Sequence, residues 1–452
     1  MSADETIVAA ATPVGESALA VVRVSGPLSE SLAEGALALP YPTPRRACLA
    51  DYRDLRGEVV DQVVCVFYAS GKSYTGEAML EISSHGNPLL SKKIVEDLVA
   101  RGCRLAEPGE FTRRAYLAGR MDLTQAESVA TLIRARSDKA LASAARQLRG
   151  ALGARMKDLL SRLLDLRASL EAYVDFPEED LPPENLEGPP AALAALLAEV
   201  SRLRSTAGYG RLLEAGARCL IVGPPNAGKS TLLNALSGED RAIVSEEAGT
   251  TRDYLSIRVE VGDLEVELID TAGLRQGGSE VERRGIEKTL ELARETDCFL
   301  YVIDSSLPDQ PEPEATLLSL LSPENALVLE NKTDLPDSRT RPDFLPELAH
   351  LPLSLEAGEG LDECRAGLEK LLELPAAAGS EDGVVVNARH AERLGVSETA
   401  LTEARRLLLD EGAVELALSE IQLAQDALGD VVGRVDNEDV LDRLFRSFCI
   451  GK

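Results

Sequence analysis

The stretch Gly223-Pro-Pro-Asn-Ala-Gly-Lys-Ser230 satisfies G-x-x-x-x-G-K-[ST] and lies between an apolar run, Cys219–Val222, and a helix-forming one, Thr231–Leu236. A strand before and a helix after are the context that a phosphate-binding loop needs. Small residues let successive backbone N–H groups close on phosphate oxygens, and the helix N-terminus adds positive potential. Lys229 then neutralises the β- and γ-phosphates, and the Ser230 hydroxyl ligates Mg2+. Asn226, Ala227, Gly228 and Thr231 complete the nucleotide-contacting stretch.

Outward from this loop, from about Arg218 to Leu374, strands and helices alternate. RCLIVG, YLSIRVEVG, LEVELID, CFLYVID and ALVLENKTD read as strands; STLLNALSG, VERRGIEKTLELARE and LDECRAGLEKLLEL read as helices. That alternation predicts an α/β sheet with helices on both faces. Two strand ends carry further chemistry. In Asp270-Thr271-Ala272-Gly273, Asp270 can hold the metal's water shell and the Gly273 amide can face the γ-phosphate. In Asn331-Lys332-Thr333-Asp334, the Asp334 carboxylate can accept from guanine N1–H and N2–H2 together, a donor pair that adenine lacks. An unpaired carboxylate is what rejects the wrong base. Ser354-Leu355-Glu356 is a poorer match to a final base-contacting loop.

Hydrolysis needs an oriented water and a further positive charge. Leu274 stands directly after DTAG, where many GTPases carry glutamine, so a carboxylate from the next helix is the natural substitute. Glu280, Glu282 and Glu287 all lie within reach, with Arg275, Arg283 and Arg284 nearby; a solvated first helical turn accounts for the same charges. Upstream, Ser245-Glu246-Glu247-Ala248-Gly249 leads to Thr250 and Thr251, and either threonine can complete the magnesium shell.

Around this unit the texture changes. Up to about residue 118, β-like runs and one helical stretch, PLLSKKIVEDLVARG, predict a small α+β domain. From Leu123 to about Tyr173 the sequence is Ala/Leu/Arg-rich with helical period; a Pro-rich break follows, then a second helical run. Helical texture returns from about residue 387. The fold class expected is therefore multidomain: an N-terminal α+β domain (1–118), a discontinuous all-α domain (119–215 and 377–452), and an inserted α/β P-loop GTPase domain (216–376). Insertion is tolerated because domain termini are often close together.

The 452 residues are 44% hydrophobic and carry a formal net charge of −28, so nucleic acid cannot be gripped over the whole surface and any such contact must be local, weak or shared with a partner. No run reaches the roughly 18 apolar residues of a membrane helix. Seven cysteines, odd in number and without a CxxC pair, argue for free thiols in a reducing, cytoplasmic setting.

GxPNxGKS, AIV…AGTTRD, DTAGLR…EVERxGIE, NKxD and the terminal FCIGK together resemble the MnmE (TrmE) family of tRNA-modification GTPases. The resemblance extends over TIVAAATPVG, SYTGEAMLEISSHG and RLAEPGEFTRRAYLAGRMDLTQAE. It implies a potassium site formed by Asn226, Ser245, Glu247 and Thr250, Thr251 as the magnesium threonine beside Ser230, and Glu282 as the residue that orients water. It further implies an N-terminal folate-binding domain that forms a homodimer. Contacts to 5-formyl- or 5,10-methylene-tetrahydrofolate fall on Arg23, Glu81, Arg120 and Lys452, with Cys449 beside the one-carbon donor. Arg120 stands where some relatives carry lysine, which keeps the charge but changes its reach. A thiol at 449 can act as nucleophile or proton donor, or simply pack. The implied partners are tRNA and an FAD-binding protein of the MnmG (GidA) type, in a heterotetramer or larger, acting on C5 of wobble uridine. The alternative is a GTP-driven switch, such as a ribosome-assembly GTPase, with no modification chemistry of its own.

Overall fold

Burial alternates along Ser17–Ser25 and Val59–Tyr68, so each strand has one buried face, and the two set the N-terminal architecture. The computed structural model describes residues 5–175, 188–238, 255–271, 288–307, 315–335, 345–373, 383–433, 438–446 and 448–451. The chain folds as two compact units. One comprises Met1–Ala130, Gln147–Lys157 and Gly429–Lys452, and the other Thr131–Arg146 and Asp158–Leu428.

The first unit holds a six-stranded sheet of β1 (Ile7–Ala10), β2 (Ser17–Ser25), β3 (Ala47–Arg53), β4 (Val59–Tyr68), β5 (Met79–Gly86) and β6 (Arg104–Leu105), in the order β3-β4-β5-β2-β1-β6. All pairings are antiparallel except β1 with β6. Helices α1 (Ser29–Leu37) and α2 (Pro88–Ala100) bury Leu32, Ile94 and Leu98 against Val22, Val24 and Ile82. Strand alternation then turns Arg23 and Glu81 to the opposite face. There Phe111, on α3 (Glu110–Leu117), packs with Ile7, Ala9 and Tyr74. Helix α4 (Leu123–Arg134) and the C-terminal helix Glu438–Arg446 share an apolar cluster of Leu123, Ala126, Leu441, Phe445 and Phe448. An Arg113–Asp442 ion pair of 2.7 Å fixes that last helix to α3.

Buried charge anchors α3. The Glu110 carboxylate accepts from Arg104 Nη2 (2.6 Å), Arg104 Nη1 (3.1 Å), Arg114 Nη2 (3.0 Å) and the Glu107 backbone N–H (2.9 Å). Burial works to raise this carboxyl, but the Arg104, Glu107 and Arg114 hydrogen bonds outweigh it and hold it below the usual carboxylate range. A depressed carboxyl stabilises the fold above its unfolded value, about 4.3 for glutamate, and that stability is lost as pH falls through the folded value. The first unit is therefore expected to begin unfolding below about pH 4. Glu110→Gln should flatten that acid limb and cost about 3 kcal/mol near neutrality, because Arg104 and Arg114 are left short of an acceptor. Urea midpoints against pH read both effects.

In the second unit the sheet comprises β7 (Ala217–Val222), β8 (Leu255–Val261), β9 (Leu264–Asp270), β10 (Cys298–Asp304), β11 (Ala326–Asn331) and β12 (Ala349–Pro352), ordered β12-β11-β10-β7-β9-β8. All pairs are parallel except β8 with β9. Central β10 is buried along its whole length, as a strand covered on both faces must be. The long helical stretch read as one run is broken into α5 (Asp138–Leu148) and α6 (Ala151–Asp175) after α4. Ser137 Oγ accepts from the Ala140 N–H at 3.2 Å, a capping bond at the start of α5, and Gly150 takes φ +89° between α5 and α6. Next come α7 (Gly188–Ser205), α8 (Ala207–Ala215), α9 (Lys229–Ser237), α10 (Leu361–Glu373), α11 (Ala388–Arg406) and α12 (Val414–Val432). All seven cysteines are free thiols. Among the described residues no helix is long and apolar enough to cross a membrane.

Candidate functional site

The phosphate loop lies between β7 and α9. Because β7 is flanked by β9 on one side and β10 on the other, the chain leaves it at a topological switch point, where open α/β sheets bind ligands. Gly223 (φ +141°) passes so close to β10 that a Cβ would overlap the Val302 carbonyl. Asn226 takes φ +62° and Gly228 φ +106°, conformations that turn the loop back on itself. Within this loop Lys229 is buried and its ammonium donates to the Gly223 and Pro224 carbonyls at 3.0 and 2.7 Å. Ser230 Oγ donates to Asp270 Oδ2 at 2.5 Å, which brings the two predicted magnesium-shell oxygens together. This pairing of a hydroxyl and a carboxylate suits a hard, oxygen-seeking cation. Thr271 Oγ1 donates to the Ile221 carbonyl at 2.9 Å and ties the start of DTAG to β7.

The predicted base-reading stretch follows β11. Asn331 Nδ2 donates to the Ala227 carbonyl at 2.8 Å, so this loop and the phosphate loop are joined directly. Lys332 reaches Asp304 Oδ2 at 2.5 Å. Burial would raise Asp304, but Lys332 and Ser306 hold it below the usual carboxylate range. Asp334 is exposed, and its Oδ1 accepts from Ser354 Oγ at 2.7 Å. Ser354 is itself fully buried and accepts from the Ala357 N–H at 3.2 Å. Thus the segment with the poorest motif match is a structural partner of the carboxylate expected from sequence to read the base. Ser245, Glu246, Glu247, Ala248, Gly249, Thr250, Thr251, Ala272, Gly273, Glu282 and Lys452 lie outside the described residues.

In the first unit, Arg23 and Glu81 are register partners across β2 and β5. Arg23 Nε and Nη2 donate to Glu81 Oε1 at 2.9 and 2.8 Å, and Tyr68 OH donates to Oε2 at 3.2 Å. Burial first, and then the Glu81 charge, push the Tyr68 phenol up. The guanidinium carbon of Arg23 lies 5.6 Å from the Tyr74 ring centre and 5.8 Å from that of Phe111. Arg23 Nη1 also donates to the Gly451 carbonyl at 3.4 Å, which brings the C-terminal tail to the pair. Arg120 is exposed and donates to the Gly71 carbonyl at 3.4 Å. Gly76, in the same connection as Gly71, would press a Cβ on Ala118 and Arg120.

The tail is held residue by residue. Phe448 is buried with its ring centre 5.4 Å from that of Phe445. The Cys449 carbonyl accepts from the Gly109 N–H at 3.4 Å, and a Cβ on Gly451 would overlap the Ala10 carbonyl. Ile450 is exposed and borders an apolar cavity of about 1000 Å3, together with Ala10, Thr12, Val95 and Leu105. Cys449 is exposed, so it is not a packing residue. Sequence reading passed over Tyr68 and Tyr74; Tyr74 stands inside the quoted SYTGEAML segment, which was its one available signal.

Residues 6–120 match the family model of the GTP-binding protein TrmE N-terminus, and residues 123–449 match that of the MnmE helical domain. The tRNA modification GTPase MnmE of Opitutus terrae is 45% identical over 450 residues, covering 99% of each chain. That of Halorhodospira halophila is 41% identical over 454 residues, covering 99% of this chain and 96% of its own. Among solved structures, the G domain of the T. maritima FeoB iron transporter is 21% identical, covering 34% of this chain and 98% of that one at a TM-score of 0.26. With both family models and full-length relatives in agreement, the chain belongs to the MnmE family of tRNA modification GTPases.

Proposed function

We propose that this GTPase works as a cytoplasmic homodimer that, with an FAD-dependent partner of the MnmG type in a heterotetramer or larger, modifies C5 of wobble uridine in tRNA. The group added is aminomethyl or carboxymethylaminomethyl, and the four-segment domain division expected from sequence is the frame for it. The reading leans most on one arrangement: the last described residue, Gly451, lies against the Arg23–Glu81 pair. The carboxylate of Glu81 suits the donor edge of a pterin, and Arg23, Arg120 and Lys452 suit an anionic glutamate tail. A bound 5-formyl- or 5,10-methylene-tetrahydrofolate supplies the carbon. Cys449, exposed on the adjoining tail residue, is the group that this chain offers as nucleophile or proton donor.

In the nucleotide site Lys229 leaves its own loop carbonyls to neutralise phosphate, while Ser230 and Thr251 hold magnesium. Asn226, Ser245, Glu247 and Thr250 hold potassium, which supplies the positive charge that an arginine finger brings elsewhere. Glu282 orients the attacking water. Replacing potassium by sodium should slow hydrolysis by at least about tenfold, since one missing electrostatic donor of this kind commonly costs more. Equal rates in the two salts would remove the potassium assignment. The modification itself is tested by nucleoside analysis of tRNA from cells lacking the gene. The C5-modified wobble uridine should vanish and return with a plasmid copy; unchanged tRNA would leave a switch without chemistry.

A further inference from the structure

The end of β10 grips the predicted base-reading loop at two levels. Asp304, its last residue, is the register partner of Asn331 on β11. The next residue, Ser305, donates from both its backbone N–H (2.9 Å) and its Oγ (2.5 Å) to the Asn331 carbonyl. Beyond Asn331 the chain enters an unusual conformation: Lys332 has φ +68°, in the left-handed region that favours glycine. A lysine stays there only when its surroundings over-determine it. Beside the Leu335 N–H, which donates to the Lys332 carbonyl at 3.2 Å, the contact that ties its side chain is the ion pair to Asp304 Oδ2. Asp304 is aimed in turn, because its Oδ1 accepts from the Ser306 N–H (3.1 Å) and Oγ (2.6 Å). The carboxylate is largely buried while Lys332 remains one-third exposed, so the fixed member of the pair is Asp304. Lys332 sits between Asn331, which is tied to the phosphate loop, and Asp334, which is tied to Ser354. A shift of its backbone therefore moves the base-reading carboxylate.

We propose that Asp304 is a positioning residue for guanine recognition, acting through Lys332. This rests on reading residues 331–334 as the guanine-contacting loop. Asp304 touches no base; it holds the left-handed turn from which Asp334 projects. Removing its charge leaves both loops in place but loosens the aim of Asp334, which is what distinguishes guanine from bases lacking the 2-amino group.

The test is a double-mutant cycle on the full-length protein, with fluorescent GDP titrations and competition by IDP, which lacks that amino group. Asp304→Asn and Lys332→Met are each expected to weaken GDP binding about tenfold and to narrow the GDP-to-IDP ratio, since small misplacements of a recognition group carry penalties of this order. The double variant should lose no more than the worse single one. The proposal is overturned if Asp304→Asn binds GDP within about twofold of wild type, if GDP and IDP weaken equally, or if the two losses multiply. Should Asp304→Asn fail to fold, Asp304→Glu, which keeps the charge but displaces it by a methylene, takes its place with the same readings. A wild-type protein without preference for GDP over IDP would instead overturn the assignment of residues 331–334.

Discussion

Asp334→Asn is expected to weaken GDP binding by about 10³-fold or more and to create affinity for xanthine nucleotides. The argument is one of donors and acceptors. An aspartate accepts from guanine N1–H and N2–H2; an asparagine turns one acceptor into a donor, which then faces the 2-amino group of guanine. Xanthine carries a carbonyl at that position, so the same substitution that repels guanine pairs with xanthine. Asparagine Oδ1 can still accept from the Ser354 hydroxyl, which now bonds Asp334 at 2.7 Å, so the loop keeps its internal partner. A loss of about 10³ corresponds to roughly 4 kcal/mol, more than loss of one exposed ion pair could give. Titration with fluorescent GDP and XDP decides the matter. Retention of GDP affinity within about tenfold would mean that another group reads the base.

How far the site was legible follows from where its residues stand in the chain. GPPNAGKS, DTAG and NKTD are each contiguous and follow strands whose apolar runs are themselves readable, so sequence alone placed Lys229, Ser230, Asp270 and Asn331 at strand ends. Asp304 was not legible, and Ser354 was read only within a poor match to a final base-contacting loop; both contacts depend on strand order, since β10 lies beside β11 and β12 delivers Ser354 to Asp334. In the N-terminal sheet the Arg23–Glu81 pair joins residues 58 apart, and without the family resemblance it passes for ordinary strand charge. Helix boundaries failed for a local reason. The run from Leu123 to about Tyr173 keeps its helical period throughout, while the Ser137 cap and the left-handed Gly150 divide it. Periodicity reports which face is apolar, and it does not register a break that preserves the phase.

Cys449→Ser should abolish tRNA modification while changing GTP turnover by no more than about twofold, since the phosphate loop and the tail belong to different compact units. Serine matches cysteine closely in size, so the anchors on either side persist: Phe448 against Phe445, and Gly451 against Ala10 and Arg23. What changes is the reactivity of one exposed atom. A thiol supplies a strong nucleophile or proton donor, whereas an unactivated hydroxyl supplies neither. Phe448→Ala provides the contrast, because it removes a buried anchor and leaves the thiol in place; it should reduce modification only partly and lower the unfolding midpoint of the first unit. Reconstitution with the proposed FAD-dependent partner and folate donor and with tRNA measures modification, and phosphate release measures turnover. Wild-type modification by Cys449→Ser would show that the thiol takes no part in the chemistry, and the one-carbon step would then have to be assigned to groups outside the tail. Loss of hydrolysis along with modification would show instead that the tail controls the nucleotide cycle, a coupling that the division of the chain into two units gives no reason to expect.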